Sequence, residues 1–311
     1  MPMMRFAFRT LLVMPAALAV AAVPANVMPW GEPGHMMSGA AAAAALPADM
    51  PEFFRDASGE LAYLNPEPDR WRDGNELGLD RAVNAQALDH YVDMEWVPAD
   101  ALRMTSRYEY LAAVKAGGHD QIVGFLPYRI IELTQRVRIE FRLWRAATDP
   151  VRKKRIEARI VNDAGILGHY VADGSNPHHT TIHHNGWVGD NPKGYATDNR
   201  MHSRFESIYV QTHLALGDVQ PLVNAAPRVF SDVRLATIEY LHTTHGRLET
   251  LYELDKQEAF DDKTQSPEHK RFVAERLAAG ATMLRDLWWT AWVTSGQATS
   301  PRAPHAAPPN R

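Results

Sequence analysis

The run His169-Tyr170-Val171-Ala172-Asp173-Gly174-Ser175-Asn176-Pro177-His178-His179 constrains this chain more than any other stretch. On a helix, residues four apart share a face, so His169 and Asp173 point to one place. Gly174 and Pro177 then end the helix, and the chain turns back with His179 close by. Two imidazoles and a carboxylate converging on one point suit a zinc ion. A second pair at the same spacing, His202 and Glu206, puts another imidazole and carboxylate on one helix face. One His-x3-Asp is usually a surface pair. Two such pairs and a loop histidine point to metal.

Composition narrows the ligand chemistry. There is no cysteine among the 311 residues, so disulfides and thiolate ligands are excluded and any metal must be held by His, Asp, Glu, backbone or water. With 45% hydrophobic and 23% charged residues, the chain can bury a sizeable core. Arg5 and Arg9 precede an apolar stretch, Thr10 to Val23, and Val23-Pro24-Ala25 offers small residues for cleavage after Ala25. Residues 1–25 therefore read as a signal peptide, and the mature protein as periplasmic or secreted. Its removal takes away two arginines and no acid, moving the net charge from −4 to −6. Such a chain does not hold nucleic acid as a polycation. If it binds phosphate esters, metals and a few arginines supply the positive field.

Trp30-Gly31-Glu32-Pro33-Gly34-His35 reads as a tight, non-helical opening, followed by an alanine-rich helix over 36–47. Residues 57–78 read as loop. Helices are expected at about 79–92, 105–117, 127–147 and 149–173, the last capped by Asp149. A Gly/Asn/Pro loop spans 174–195. Further helices are expected at 196–216, 229–248 and 267–295, the last with Phe272, Leu277, Leu284, Leu287, Trp288 and Trp292 on an apolar face. Residues 297–311 read as a disordered tail. No strand alternation or internal repeat stands out, so the expectation is all-α, a single multi-helix domain over 30–296.

The motifs taken in order are Trp-Gly-x-x-Gly-His at 30–35, Asp69 with Arg72, His90-Tyr91-x-Asp93, His169-x3-Asp173-x5-His179 and His202-x3-Glu206. In this order the chain resembles the superfamily of zinc-dependent single-strand nucleases and bacterial zinc-dependent phospholipases C over most of residues 30–295. The resemblance implies that superfamily's all-α phospholipase C/nuclease fold and up to three zinc ions in one cleft. It implies Asp69, His90, His169 and Asp173 as ligands of one ion. Asp173 would bridge to a second, held by His35 and by the amino nitrogen and carbonyl oxygen of Trp30. The third would take His179, His202 and Glu206. It further implies phosphodiester hydrolysis with Asp173 and Arg72 in catalytic roles, and Tyr91 and Asp93 facing the substrate. Cleavage after Ala25 leaves four residues ahead of Trp30.

His178, His183 and His184 read as neighbours of the site, and His242 and His245 as ordinary polar positions. Trp288, Trp289 and Trp292 read as core, and Tyr91 as either packed or stacking on a base. The first functional reading is a nuclease on single-stranded DNA or RNA. The alternative is a phospholipase C acting on phospholipid headgroups, and a reading of another class is a periplasmic zinc-binding protein without turnover. No stable protein partner is implied, and a monomer is expected.

Overall fold

The computed structural model describes residues 30–72, 87–120 and 122–297, and the expected signal peptide, most of the 79–92 helix and the tail from 298 lie outside these residues. No strand occurs among the described residues, as expected for an all-α chain. The longer helices are α1 (Gly31–Ala44), α2 (Arg107–Ala116), α3 (Leu126–Ala146), α4 (Pro150–Asp173), α5 (201–213), α6 (Val233–His245), α7 (Leu248–Gln257) and α8 (Pro267–Ser295).

Three of these form the frame. α3 and α4 pack against each other, and α8 lies across both and against α1. α8 is long because its first turn is well made: Ser266 accepts from the His269 N–H and Pro267 occupies the first helical position. Its buried face then carries Phe272, Leu277, Leu284, Leu287 and Trp288. Each such side chain contributes roughly 1.5–3 kcal/mol by leaving water. Trp288 is fully buried and its indole N–H donates to the Ala164 carbonyl on α4, so the core reading of this tryptophan holds. On α4, Asp149 accepts from the Arg152 N–H, the expected cap.

The opening is helical, contrary to the expectation of a non-helical segment at 30–35. α1 starts at Gly31, and Pro33 sits in the first turn, where no intrahelical N–H is needed. The departure from helix is confined to Trp30 and Gly31, with φ of 48° and 53°. The expected loop at 57–78 also contains short helices, Ser58–Tyr63 and Glu67–Arg70. In place of the expected helix end, residues 87–89 form a single 3-10 turn and His90 to Asp93 are non-helical. The helix expected at 196–216 is confined to 201–213, and its middle, Arg204–Tyr209, is a π-helix. α7 follows α6 after Gly246 and Arg247 and has no counterpart in the sequence reading.

Candidate metal centre

Five stretches of chain meet at the C-terminal end of α4. α4 delivers His169 and Asp173, and the turn Pro177–Thr180 brings back His179. Asn176 caps that turn by accepting from the His178 N–H, which fixes where His179 points. α1 supplies His35, the short helix Glu67–Arg70 supplies Asp69, and His90 comes from the segment before α2. α5 supplies His202 and Glu206. All but His202 are buried.

The approach distances are those of ligands around shared ions. Asp173 Oδ2 lies 3.0 Å from His90 Nδ1 and 3.3 Å from His169 Nε2, while its Oδ1 lies 3.5 Å from His35 Nε2 and 3.8 Å from His179 Nδ1. The two ring nitrogens His169 Nε2 and His90 Nδ1 are 3.0 Å apart. Asp69 Oδ1 is 3.8 Å from His169 Nε2 and 4.0 Å from His90 Nδ1. In the second half of the cluster, His202 Nε2 is 2.7 Å from Glu206 Oε2, and His179 Nε2 is 3.6 Å from the same oxygen. Three groups are close enough to hold an ion: His35–His169–Asp173, Asp69–His90–His169 and His179–His202–Glu206.

Hydrogen bonds behind these rings select their tautomers. His169 Nδ1 donates to the Asn65 carbonyl at 2.9 Å, which leaves Nε2 as the lone pair facing the cluster. His35 Nδ1 faces Asn65 Oδ1 at 3.1 Å, so its Nε2 is likewise turned inward. His179 Nδ1 donates to the His90 carbonyl at 2.7 Å. Asn65 thus orients two imidazoles, one with its backbone and one with its side chain. Two glycines let it come so close: a Cβ at Gly168 would lie 2.3 Å from its Nδ2, and one at Gly39 would lie 2.9 Å from it.

The electrostatics ask for cations. Burial holds His35, His90 and His169 below the ordinary imidazole value, hence neutral and ready to ligate. Burial and the neighbouring Asp173 push Asp69 well above the carboxylate range. Burial would lower His179, but Asp173 and Glu206 outweigh it and hold this ring up to about 9. Burial would raise Asp173, yet His169 and His179 keep it well below the usual range. A proton on His179 therefore stands where positive charge is wanted. Several buried atoms also lack a hydrogen-bond partner: His35 Nε2, His90 Nε2, Asp69 Oδ2, Asp173 Oδ1 and Glu206 Oε1. Buried polar atoms are costly when unpaired, and metal ions of the zinc type satisfy such a set of nitrogens and carboxylate oxygens.

Trp30 is fully buried, and its indole N–H donates to the Ala172 carbonyl at 2.7 Å. Its backbone N–H donates to Glu206 Oε2 at 3.1 Å, as does Asn176 Nδ2. Arg72 Nη1 lies 3.5 Å from Asp69 Oδ1. A cavity of about 460 Å³ opens over His90, His179 and His202, with Arg72, Tyr91, Asp93 and Trp96 in its wall. Asp93 is pushed up to about 7 by burial and by Glu95. His178 is buried behind His202 with both ring nitrogens unpartnered.

Three contributors were not legible as site residues. Asn65 and Asn176 are single polar residues in turns. Glu95 accepts from the Thr181 hydroxyl and from the Ile182 N–H, tying the segment after His179 to the segment after His90. His245, read as an ordinary polar position, is half-buried and donates from Nδ1 to the Thr180 carbonyl at 2.8 Å.

No family model and no curated protein matches this chain. Among solved structures, the alpha-toxin of Clostridium perfringens from the avian strain SWCP is similar, with a TM-score of 0.46 and 14% identity over 88% of this chain. The likeness covers 66% of the toxin chain, just under two thirds of its length.

Proposed function

We propose that this chain is a zinc-dependent phosphodiester hydrolase, and that its substrate is the headgroup phosphodiester of a phospholipid. The observation that carries the first part is the buried convergence of three His/carboxylate groups, with orphaned atoms on five of their side chains, under an open cavity. Asp69, His35, His90, His169, Asp173, His179, His202 and Glu206 would hold the ions, and Trp30 would join them if its nitrogen were a free amine. Zinc bound in such a set acts as a Lewis acid on a phosphoryl oxygen. Arg72 presents a guanidinium fork at the cavity wall and fits a phosphate oxygen pair. Asp93, carrying its proton near neutrality, can donate a hydrogen bond to the substrate.

The choice of substrate rests on the mouth of the cavity. Ile122 is 49% exposed there, beside Ala87, Ile182 and Trp96, and Arg72 is the single Lys or Arg among the described lining residues. A mixed rim, Ile122 beside the exposed His184 and Asn185, with a single arginine suits a headgroup leaving a lipid surface better than a polyanionic strand, which calls for several basic side chains. The nuclease reading has Tyr91 in its favour: it lies in the cavity wall and is half-buried, a position from which it could stack on a base. Turnover of short-chain phosphatidylcholine, of single-stranded DNA and RNA, and of bis(p-nitrophenyl) phosphate should be compared on zinc-loaded protein, with and without EDTA. The expected order places the phospholipid first. Faster cleavage of nucleic acid would move the assignment to the nuclease, and no turnover of any of them would leave a binding protein.

A further inference from the structure

A second cavity, about 880 Å³, lies between α3, the start of α6 and the end of α8. Arg138 and Arg142 of α3 and Arg234 of α6 face it, with Ile131, Val229 and Phe230 as its apolar wall. Leu126, at the start of α3, donates its N–H to the Tyr91 carbonyl beside the metal cluster. Arg138 and Arg142 follow 12 and 16 residues later, about 18 and 24 Å along the helix axis. The groove is a separate place from the metal centre.

Its arginines are distinguished by what they lack. The other arginines of α3 are engaged: Arg129 by Asp89 and the Tyr170 ring, Arg136 by Asp163, and Arg145 by Ser295 and the Trp292 ring. Arg138 and Arg142 have no ion pair and no hydrogen bond among the described residues, and the Nε of each is shut from solvent without an acceptor. They stand four apart on one helix face, where two like charges repel. Arg234 spends Nη1 on the Leu102 and Met104 carbonyls and lies over the Tyr128 ring, but it has no ion pair among the described residues. The carboxylate lining the groove, Asp232, is occupied in capping α6 through the Leu235 N–H. The N–H groups of Val233 and Arg234 in the first turn of α6 add to the positive field. Residues 298–311, which follow the lining residue Gln297, contain no Asp or Glu.

We propose that this groove is a binding site for a phosphate-bearing anion, with Arg138 and Arg142 forming the fork that holds it. Guanidinium groups pair with phosphate oxygens in bidentate fashion, and an external anion held by their Nη groups removes the repulsion between the two arginines. The phosphate can arrive free or as the headgroup of an anionic lipid whose chains meet Ile131, Val229 and Phe230.

The test uses the zinc-loaded full chain and the double variant Arg138→Gln/Arg142→Gln. Inorganic phosphate is titrated by calorimetry, and binding to phosphatidylglycerol-containing vesicles is compared with binding to pure phosphatidylcholine vesicles by sedimentation. Phosphate held at the metal centre persists in both proteins, so the groove is read as the difference between them. The expected result is loss, by tenfold or more in affinity, of one phosphate class or of the anionic-vesicle preference, with turnover of bis(p-nitrophenyl) phosphate unchanged. A phosphate effect identifies a free anion as ligand, and a vesicle effect alone identifies a lipid headgroup. If the double variant does not fold, Arg142→Gln alone carries the same comparison. Wild type and variant indistinguishable in both arms, or a wild type with neither binding class, overturns the proposal. Because the groove is separate from the catalytic cavity, this outcome is independent of the substrate assay.

Discussion

At the scale of single residues, Asp173 is the side chain on which the cluster turns. Its two oxygens face four imidazoles, and it keeps its charge despite full burial because His169 and His179 hold it low. Asp173→Asn keeps the size and removes the charge. Zinc content per chain should fall, and turnover should drop at least about 100-fold, the scale seen when one group that stabilises developing charge is removed. Glu206→Gln should disturb the group with His179 and His202 and retain more of both. Atomic absorption beside steady-state rates on the two variants makes the comparison. Full zinc content with near-normal turnover in Asp173→Asn would exclude a metal mechanism centred on this carboxylate.

At the scale of elements, α4 carries the site because two glycines on it, Gly165 and Gly168, let the 58–70 segment lie against its backbone. Gly168→Ala would gain about 1 kcal/mol of helix propensity but push a methyl into Asn65 and Leu284, at a cost of roughly 1–3 kcal/mol. Because Asn65 aims His35 and His169, zinc affinity should fall as well. Denaturant midpoint and zinc titration report the two effects. A variant more stable than wild type with unchanged zinc affinity would show that the tight fit is unimportant. The same element shows what could be read from sequence. His169–Asp173 and His202–Glu206 are local pairs on one helix face, and local spacing is visible in a sequence. Asn65, Glu95 and His245 act on residues 104, 86 and 65 positions away. No periodicity reports such partners. Trp30–His35 was misread because Pro and Gly are turn signals only when the first helical turn does not use them.

At the scale of the whole molecule, the candidate ligands come from chain positions between 35 and 206 and are gathered without any disulfide. The buried carboxylates Asp69, Asp173 and Glu206 repel one another unless cations sit between them. Ions bound by the native state alone stabilise it by mass action. Stripping metal with EDTA should lower the melting temperature by roughly 5–10 °C for a domain of this size. Differential scanning calorimetry before and after verified removal measures it, and coincident curves would mean that the fold does not lean on the ions.

The π-helical middle of α5 has a consequence for how this helix serves two neighbours at once. Its wider turn acts as an inserted residue, shifting the phase of the helix partway along. His202, ahead of the π turn, and Glu206, within it, face the cluster. At its end and beyond, Tyr209 meets Phe260 edge-on and His213 reaches the Asp261 carbonyl. A uniformly wound helix would have to choose between the two alignments. The phase shift uncouples them, so the ligand-bearing end and the packing end of a single helix are free to be set independently.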